Sequence, residues 1–406
     1  MDRSIAFVLS FALLLSLFLS LLLGEAKSDE FKLIPSLGLS EQYNDNLLLT
    51  ERNKKDDFIT SISPGLELSD RTERLDLNLS GHVSGLVYAR NEELNDIDYD
   101  GRGRLLYSIN PNLKFSAGGG LWKISSPGEV LEPTGLVTRA TQNYKYYFGS
   151  DLEYTITEKT KTSLSYSYER YDYEYGNVLD ILDTTTEAHG ASIGFIHDLS
   201  QYFSNTAGRM NLGYSYYQYR DRTVDYYYGT IGMSRALNEK WAILLDLGPS
   251  YTRSELKVEG LASIPGGIKE TEKGTGLFGR ATLTYRGEKT SGDLTFSHRL
   301  EPGSGTVGVT ENTFLTLGVA HRFTYELSGR LSTGYYINKA ERGEFSIVGI
   351  DEATFRISPA VRYEFTKDIA LEASYNYTLV KDRLADTEAK RNLFMINFII
   401  QCPLFE

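Results

Sequence analysis

The sequence predicts an all-β protein: an antiparallel transmembrane β-barrel of about 18 strands, with 16 as the next count. Three observations predict it. Apolar and polar residues alternate with a period of two along the whole chain, and the connections alternate between short turns and long charged loops. After the first 26 residues no apolar stretch is long enough to form a membrane-spanning helix.

The chain opens with Arg3, an apolar run from Ile5 to Leu23, and the small residues Gly24 and Ala26. That order predicts a secretory signal peptide over 1–26 and a barrel domain over 27–406. Asp2, Arg3 and Glu25 leave with the peptide, so the net charge of -12 becomes -11, a balance unsuited to nucleic acid. Cys402 is the only cysteine, which excludes an intrachain disulfide. Tyrosine (29), phenylalanine (19) and glycine (37) are plentiful, and mean hydropathy is only -0.30. A closed barrel gives that value, because only alternate wall residues meet lipid.

The strands follow in order. The first two, 31–43 and 57–68, flank the charged loop NDNLLLTERNKKDD. The third, 73–90, sets Leu75, Leu77, Leu79, Val83 and Val87 against Asp76, Asn78, Ser80, His82 and Ser84. Strands at 99–110 and 112–124 meet at the turn INP, and those at 139–156 and 160–175 meet at TEK. The next four are 186–199, 207–220, 223–236 and 240–254, the last pair joined through NE. A long loop, SELKVEGLASIPGGIKETEK, leads to strands at 275–288 and 290–300. Strands at 311–324, 325–338, 351–366, 369–382 and 389–400 complete the wall; LEASYNYTL and NLFMINFII alternate most clearly. Even-numbered connections are short and odd-numbered ones mostly long, the sorting of an outer-membrane barrel whose long loops face outward.

In TSLSYSYERYDYEYG, Tyr166 and Tyr168 are in one phase and Tyr171, Tyr173 and Tyr175 in the other, which predicts a bulge or a membrane exit near Glu169. Tyr171, Tyr173, Tyr214, Tyr216, Tyr226 and Tyr228 are candidates for an outer aromatic girdle, with a carbohydrate-stacking platform as the functional alternative. Polar faces give lumen candidates Asp76, His82, Glu153, Glu169, Asp246, Arg286, Arg299 and Glu372; both signs occur, so no strong ion selectivity is announced. DIDYDG offers Asp96, Asp98 and Asp100 as weak calcium candidates, although Tyr107 stands where a calcium loop needs glutamate. GASIG around Ser192 matches a serine-nucleophile pattern inside a strand, without the sharp turn that exposes the hydroxyl. Catalytic residues, cofactors and a resident metal are not expected.

The stretch Ile34 to Leu68, with Tyr43 to Asn46 (YNDN) and DFITSISPGL from Asp57, resembles the opening of the putative β-barrel porin type 2 family. The resemblance implies an outer-membrane barrel of the kind found near exopolysaccharide and exosortase-linked export systems. This chain departs from many such barrels at its end, where Phe405 is followed by Glu406.

The leading expectation is an outer-membrane channel, porin-like and associated with polysaccharide export, in contact with lipid, lipopolysaccharide and the barrel-insertion machinery. A second is a sleeve around a periplasmic multihaem cytochrome, a redox partner this chain, without a CxxCH motif, could only enclose. An outer-membrane enzyme is the third and weakest.

Overall fold

The computed structural model of the protein describes residues 30–125, 142–174, 184–219, 222–258, 268–302, 309–340 and 349–404. The proposed signal peptide, most of the long connections, Phe405 and Glu406 lie outside them.

Eighteen antiparallel strands form one ring. They are β1 (Glu30–Asn44), β2 (Asp57–Arg71), β3 (Leu75–Tyr88), β4 (Asp96–Asn110), β5 (Leu113–Ile124) and β6 (Gln142–Thr157). Then come β7 (Thr160–Glu174), β8 (Thr184–Asp198), β9 (Thr206–Tyr219), β10 (Arg222–Ala236), β11 (Trp241–Val258) and β12 (Ile268–Arg286). The last are β13 (Thr290–Pro302), β14 (Val309–Arg322), β15 (Leu327–Ala340), β16 (Ile350–Thr366), β17 (Ile369–Asp382) and β18 (Thr387–Gln401). Each pairs with its sequence neighbours, and β1 also pairs with β18 from Ser36↔Gln401 to Asn44↔Leu393, which closes the wall. Closure leaves no sheet edge at that seam, the condition for spanning a bilayer with strands.

Register fixes the faces. On β17 the odd residues Ala373, Tyr375 and Tyr377 point outward and the even residues Glu372, Asn376 and Thr378 inward, in step with outward Ile396 and Phe398 on β18. Outward side chains include Ile231 (75% exposed), Leu164 (58%) and Val87 (57%). Apolar groups bared to that extent around a whole wall form a lipid-facing belt, and the barrel is therefore an outer-membrane barrel. Aromatic residues edge the belt on both sides. Trp241–Tyr285 and Tyr363–Phe365, with ring centroids 4.8 and 5.0 Å apart, stand at the short-turn end; Tyr43–Phe58 and Tyr214–Tyr227, both at 4.9 Å, stand toward the long loops.

Two sequence expectations change. β12 begins at Ile268 rather than 275, and β11 runs on to Val258, because this hairpin rises past the belt, where Arg253, Glu255 and Lys273 take the outer-face positions that Leu245 and Leu247 hold lower down. No bulge separates Tyr168 from Tyr171: pairing of β7 with β8 is regular from Thr160↔His197 to Tyr173↔Thr184.

Lysine at Ile396, 56% exposed on the outer face, is expected to cost about 2–4 kcal/mol at the bilayer midplane and to reduce the heat-modifiable, folded band on a detergent gel. Normal folding of Ile396→Lys would reverse the face assignment of β18.

Candidate functional site

The inner face carries pairs of small polar residues among its charged ones. Ser40 and Ser61 hydroxyls lie 2.6 Å apart, Ser63 donates to Ser84 at 2.8 Å, and Thr282 and Thr295 hydroxyls lie 3.2 Å apart. Each pair joins adjacent strands across the lumen wall, where short side chains leave bore and their hydroxyls satisfy one another. Ser192 belongs to this lining: it sits mid-strand between Ser165 and Gly213, in no nucleophile elbow.

Asp76, His82, Glu153, Glu169, Asp246, Arg286, Arg299 and Glu372 all fall on the inner face by register, and each has a nearby partner. Arg71 donates to Asp76 at 3.1 Å, and His82 Nδ1 is 3.4 Å from Asp100. Lys161 reaches Glu153 at 3.0 Å. Lys145 lies 3.3 Å from Glu169, whose carboxylate also accepts the Tyr171 hydroxyl proton at 2.5 Å. Arg330 donates to Glu372 at 2.5 Å. Arg286 donates to the Tyr285 and Gly292 carbonyls, and Arg299 lies 5.8 Å from the centre of the Phe314 ring. Asp246 is the most enclosed of the carboxylates in these ion pairs: 5% exposed, it is held by Arg209 Nε at 3.2 Å and Arg280 Nη2 at 2.5 Å. Pairing of this kind cancels charge locally, so the lumen presents alternating small dipoles rather than one sign.

The tyrosine candidates divide. Tyr214 and Tyr216 face outward, beside Tyr227 and His189 respectively. Tyr171, Tyr173, Tyr226 and Tyr228 are on the inner face and so do not belong to the girdle. Tyr171 and Tyr173 are nearly fully buried, with rings parallel to within 1° and centroids 6.1 Å apart, while Tyr228 stacks on Phe278 at 5.1 Å. Tyrosine suits either environment, a wet lumen or a lipid interface, so residue type alone could not separate them.

The calcium candidates also change. Asp96, Asp98 and Asp100 lie on extended strand β4 rather than in a loop, and each carboxylate is engaged separately, by Lys123, by Ser125, and by His82 with Arg102. A strand spaces alternate side chains too far apart to wrap one ion. Among the described residues no group of three His, Cys, Asp or Glu could hold a metal ion.

The first long loop is a feature that the sequence pattern missed. Leu47 packs against Ile59, Leu86 and Tyr88, and Leu49 against Val380 and Ala389, all inner-face residues, so residues 46–49 fold into the outer mouth while 51–55 stay exposed. Asn46 is fully buried; its amide donates to the carbonyls of Thr50 at 2.8 Å and Lys390 at 2.9 Å, while its oxygen accepts from Thr50 N–H at 3.0 Å. Asp57 fixes the loop's exit by accepting backbone N–H from Arg90 and Asn91 at 3.0 and 2.9 Å. Leu49 holds φ 47°, a left-handed conformation costly for leucine, which burial on two strands compensates. Three consecutive leucines in a charged loop were the available signal.

No protein-family model matches the chain, and no curated protein matches it in sequence. Solved structures share its barrel shape at low similarity. The copper transporter OprC gives a TM-score of 0.46 at 11% identity over 90% of this chain, which spans 64% of OprC. OpdO of Pseudomonas aeruginosa gives 0.45 at 10% identity over 93% of this chain and 98% of its own. OccAB4 of Acinetobacter baumannii gives 0.45 at 12% over 93% and 99%. Likeness at this level says nothing about cargo.

Two variants probe the lumen. Asp246→Asn leaves Arg209 and Arg280 without their shared carboxylate, and the reversal potential in a salt gradient is expected to shift toward anion preference; an unchanged potential would remove Asp246 from the conducting surface. Leu49→Asp is expected to detach the loop tip from β17 and β18 and raise single-channel conductance, whereas unchanged conductance would place the narrowest ring elsewhere.

Proposed function

We propose that the protein is an outer-membrane channel that passes hydrophilic solutes by passive diffusion. The observation that carries this reading is the polar inner face, where hydroxyl pairs such as Ser40–Ser61, Ser63–Ser84 and Thr282–Thr295 lie among paired charges, inside a wall of eighteen strands. A ring of that size encloses an aqueous space unless something fills it. The inner-face ion pairs support weak charge selectivity, and the inturned first loop supports restriction by size at the outer mouth.

The resemblance of Ile34 to Leu68 to the porin type 2 family supports a finer assignment. It gives the YNDN and DFITSISPGL segments a role, because their Asn46 and Asp57 anchor the loop that narrows the mouth. Association with polysaccharide export follows from that resemblance, with lipopolysaccharide around the belt and the barrel-insertion machinery as the remaining partners. No observation favours the cytochrome sleeve or an enzyme over the channel.

The test is single-channel recording of the purified chain in a planar bilayer. Reproducible open steps, transiently blocked by oligosaccharides, are expected. Absence of steps from heat-modifiable, folded protein would contradict the channel.

A further inference from the structure

The wall is forked at one place. Pairing of β12 with β13 runs from Arg286↔Ser291 and stops at Gly279↔His298. Beyond that point β12 continues to Ile268, bonded on its other side to β11, and β13 continues to Pro302, bonded to β14. The β12 backbone over 268–278 therefore has no β13 partner. About eight paired residues, rising ~3.3 Å each and tilted by roughly 40°, reach about 20 Å above the short-turn end. The fork thus opens within the outer half of an apolar band about 25 Å tall.

The end of β13 has swung into the lumen. Continued register would set Leu300 beside Leu277 on the outer face. Leu277 is 52% exposed there, but Leu300 is only 8% exposed and packs with Val224 and Tyr226, inner-face residues of β10. Glu311 of β14 follows: its Oε1 lies 4.0 Å from the point where a Cβ on Gly276 would stand. The lack of a side chain at Gly276 leaves room for Glu311 beside β12. Tyr226, Ser250 and Thr252 from inside, and Leu277 and His298 from outside, meet around one small cavity of about 30 Å³ at the fork, room for a single water while Leu300 is in place.

Strand edges facing hydrocarbon without partners are unstable, so the fork demands polar groups delivered from the lipid side or the lumen. We propose that it is a lateral port, through which an amphiphile with a hydrogen-bonding head and a long hydrocarbon tail passes between the lumen and the outer leaflet. Ser250, Thr252, whose hydroxyl donates to the Gly274 carbonyl at 3.3 Å, and the β12 edge that β13 leaves unpaired receive the head. Leu277 and the neighbouring lipid-facing Leu247 and Phe296 accompany the tail. This route goes beyond aqueous diffusion along the barrel axis and can fail while the channel stands.

The test uses the full chain in phospholipid vesicles, in a Cys402→Ser background, with folding checked by heat-modifiability. A bimane label on Leu300→Cys is challenged with 9,10-dibromostearic acid, with Phe296→Cys as the lipid-facing reference and Thr282→Cys as the lumen reference. Quenching of at least half that at Phe296→Cys is expected, and quenching no greater than at Thr282→Cys would overturn the port. A closed wall would also expose position 300 to the quencher, so the pair Leu277→Cys/Leu300→Cys is oxidised beside Gly279→Cys/His298→Cys. The fork predicts a disulfide yield at least fivefold lower in the first pair; equal yields mean a closed wall and overturn the proposal. If Leu300→Cys does not fold, Glu311→Cys carries the label and the same outcomes apply.

Discussion

Everything in this molecule depends on the hydrogen-bonded closure of β1 on β18. A free strand edge carries an unpaired backbone donor and acceptor at every second residue, and hydrocarbon offers none in return. The register from Ser36↔Gln401 to Asn44↔Leu393 removes that edge, and Cys402 N–H extends it by donating to Pro35 carbonyl at 2.9 Å. Once the ring is closed, each side chain has only two destinations, lipid or lumen. A shift of one residue would exchange them along a whole strand.

That binary choice accounts for the chemistry inside. Charges on the inner face lie close to a low-dielectric wall, where an unpaired ion is costly, and those in the ion pairs described above are met by partners on the same strand or one or two strands away. Asp246 between Arg209 and Arg280 is the most enclosed case; Glu153 with Lys161 is a half-exposed one. The outer mouth uses different physics. There the leucines of the first loop bury against inner-wall residues, and Asn46 and Asp57 satisfy the backbone groups that folding the loop inward leaves behind.

Much of this was legible in the sequence wherever a strand crosses the apolar band. β17 occupies 369–382 as expected, because LEASYNYTL must sort its faces strictly in that zone. Asp76, Glu153 and Glu372 point to the lumen in the sequence because each alternates with apolar residues of the opposite face. Sorting relaxes beyond the membrane, which is why the charged start of β12 has the pattern of a loop and Asp96, Asp98 and Asp100 that of a loop-borne ion site. Tyrosine was ambiguous in principle: Tyr216 and Tyr217 are adjacent, one outward and one buried on the inner face, and only register separates them. The fork between β12 and β13 left no mark that alternation could reveal, because it is a failure of pairing rather than of pattern.

The central claim is that alternate residues of each strand meet water and lipid in the phase set by closure. Single cysteines at positions 371 to 378 of β17, in a Cys402→Ser background, can be exposed to a charged, membrane-impermeant thiol reagent in the native membrane. The account predicts modification at 372, 374 and 376 and protection at 371, 373, 375 and 377, and protection also at 378, which is inward but fully buried. Reactivity without a period of two, or with the opposite phase, would contradict it.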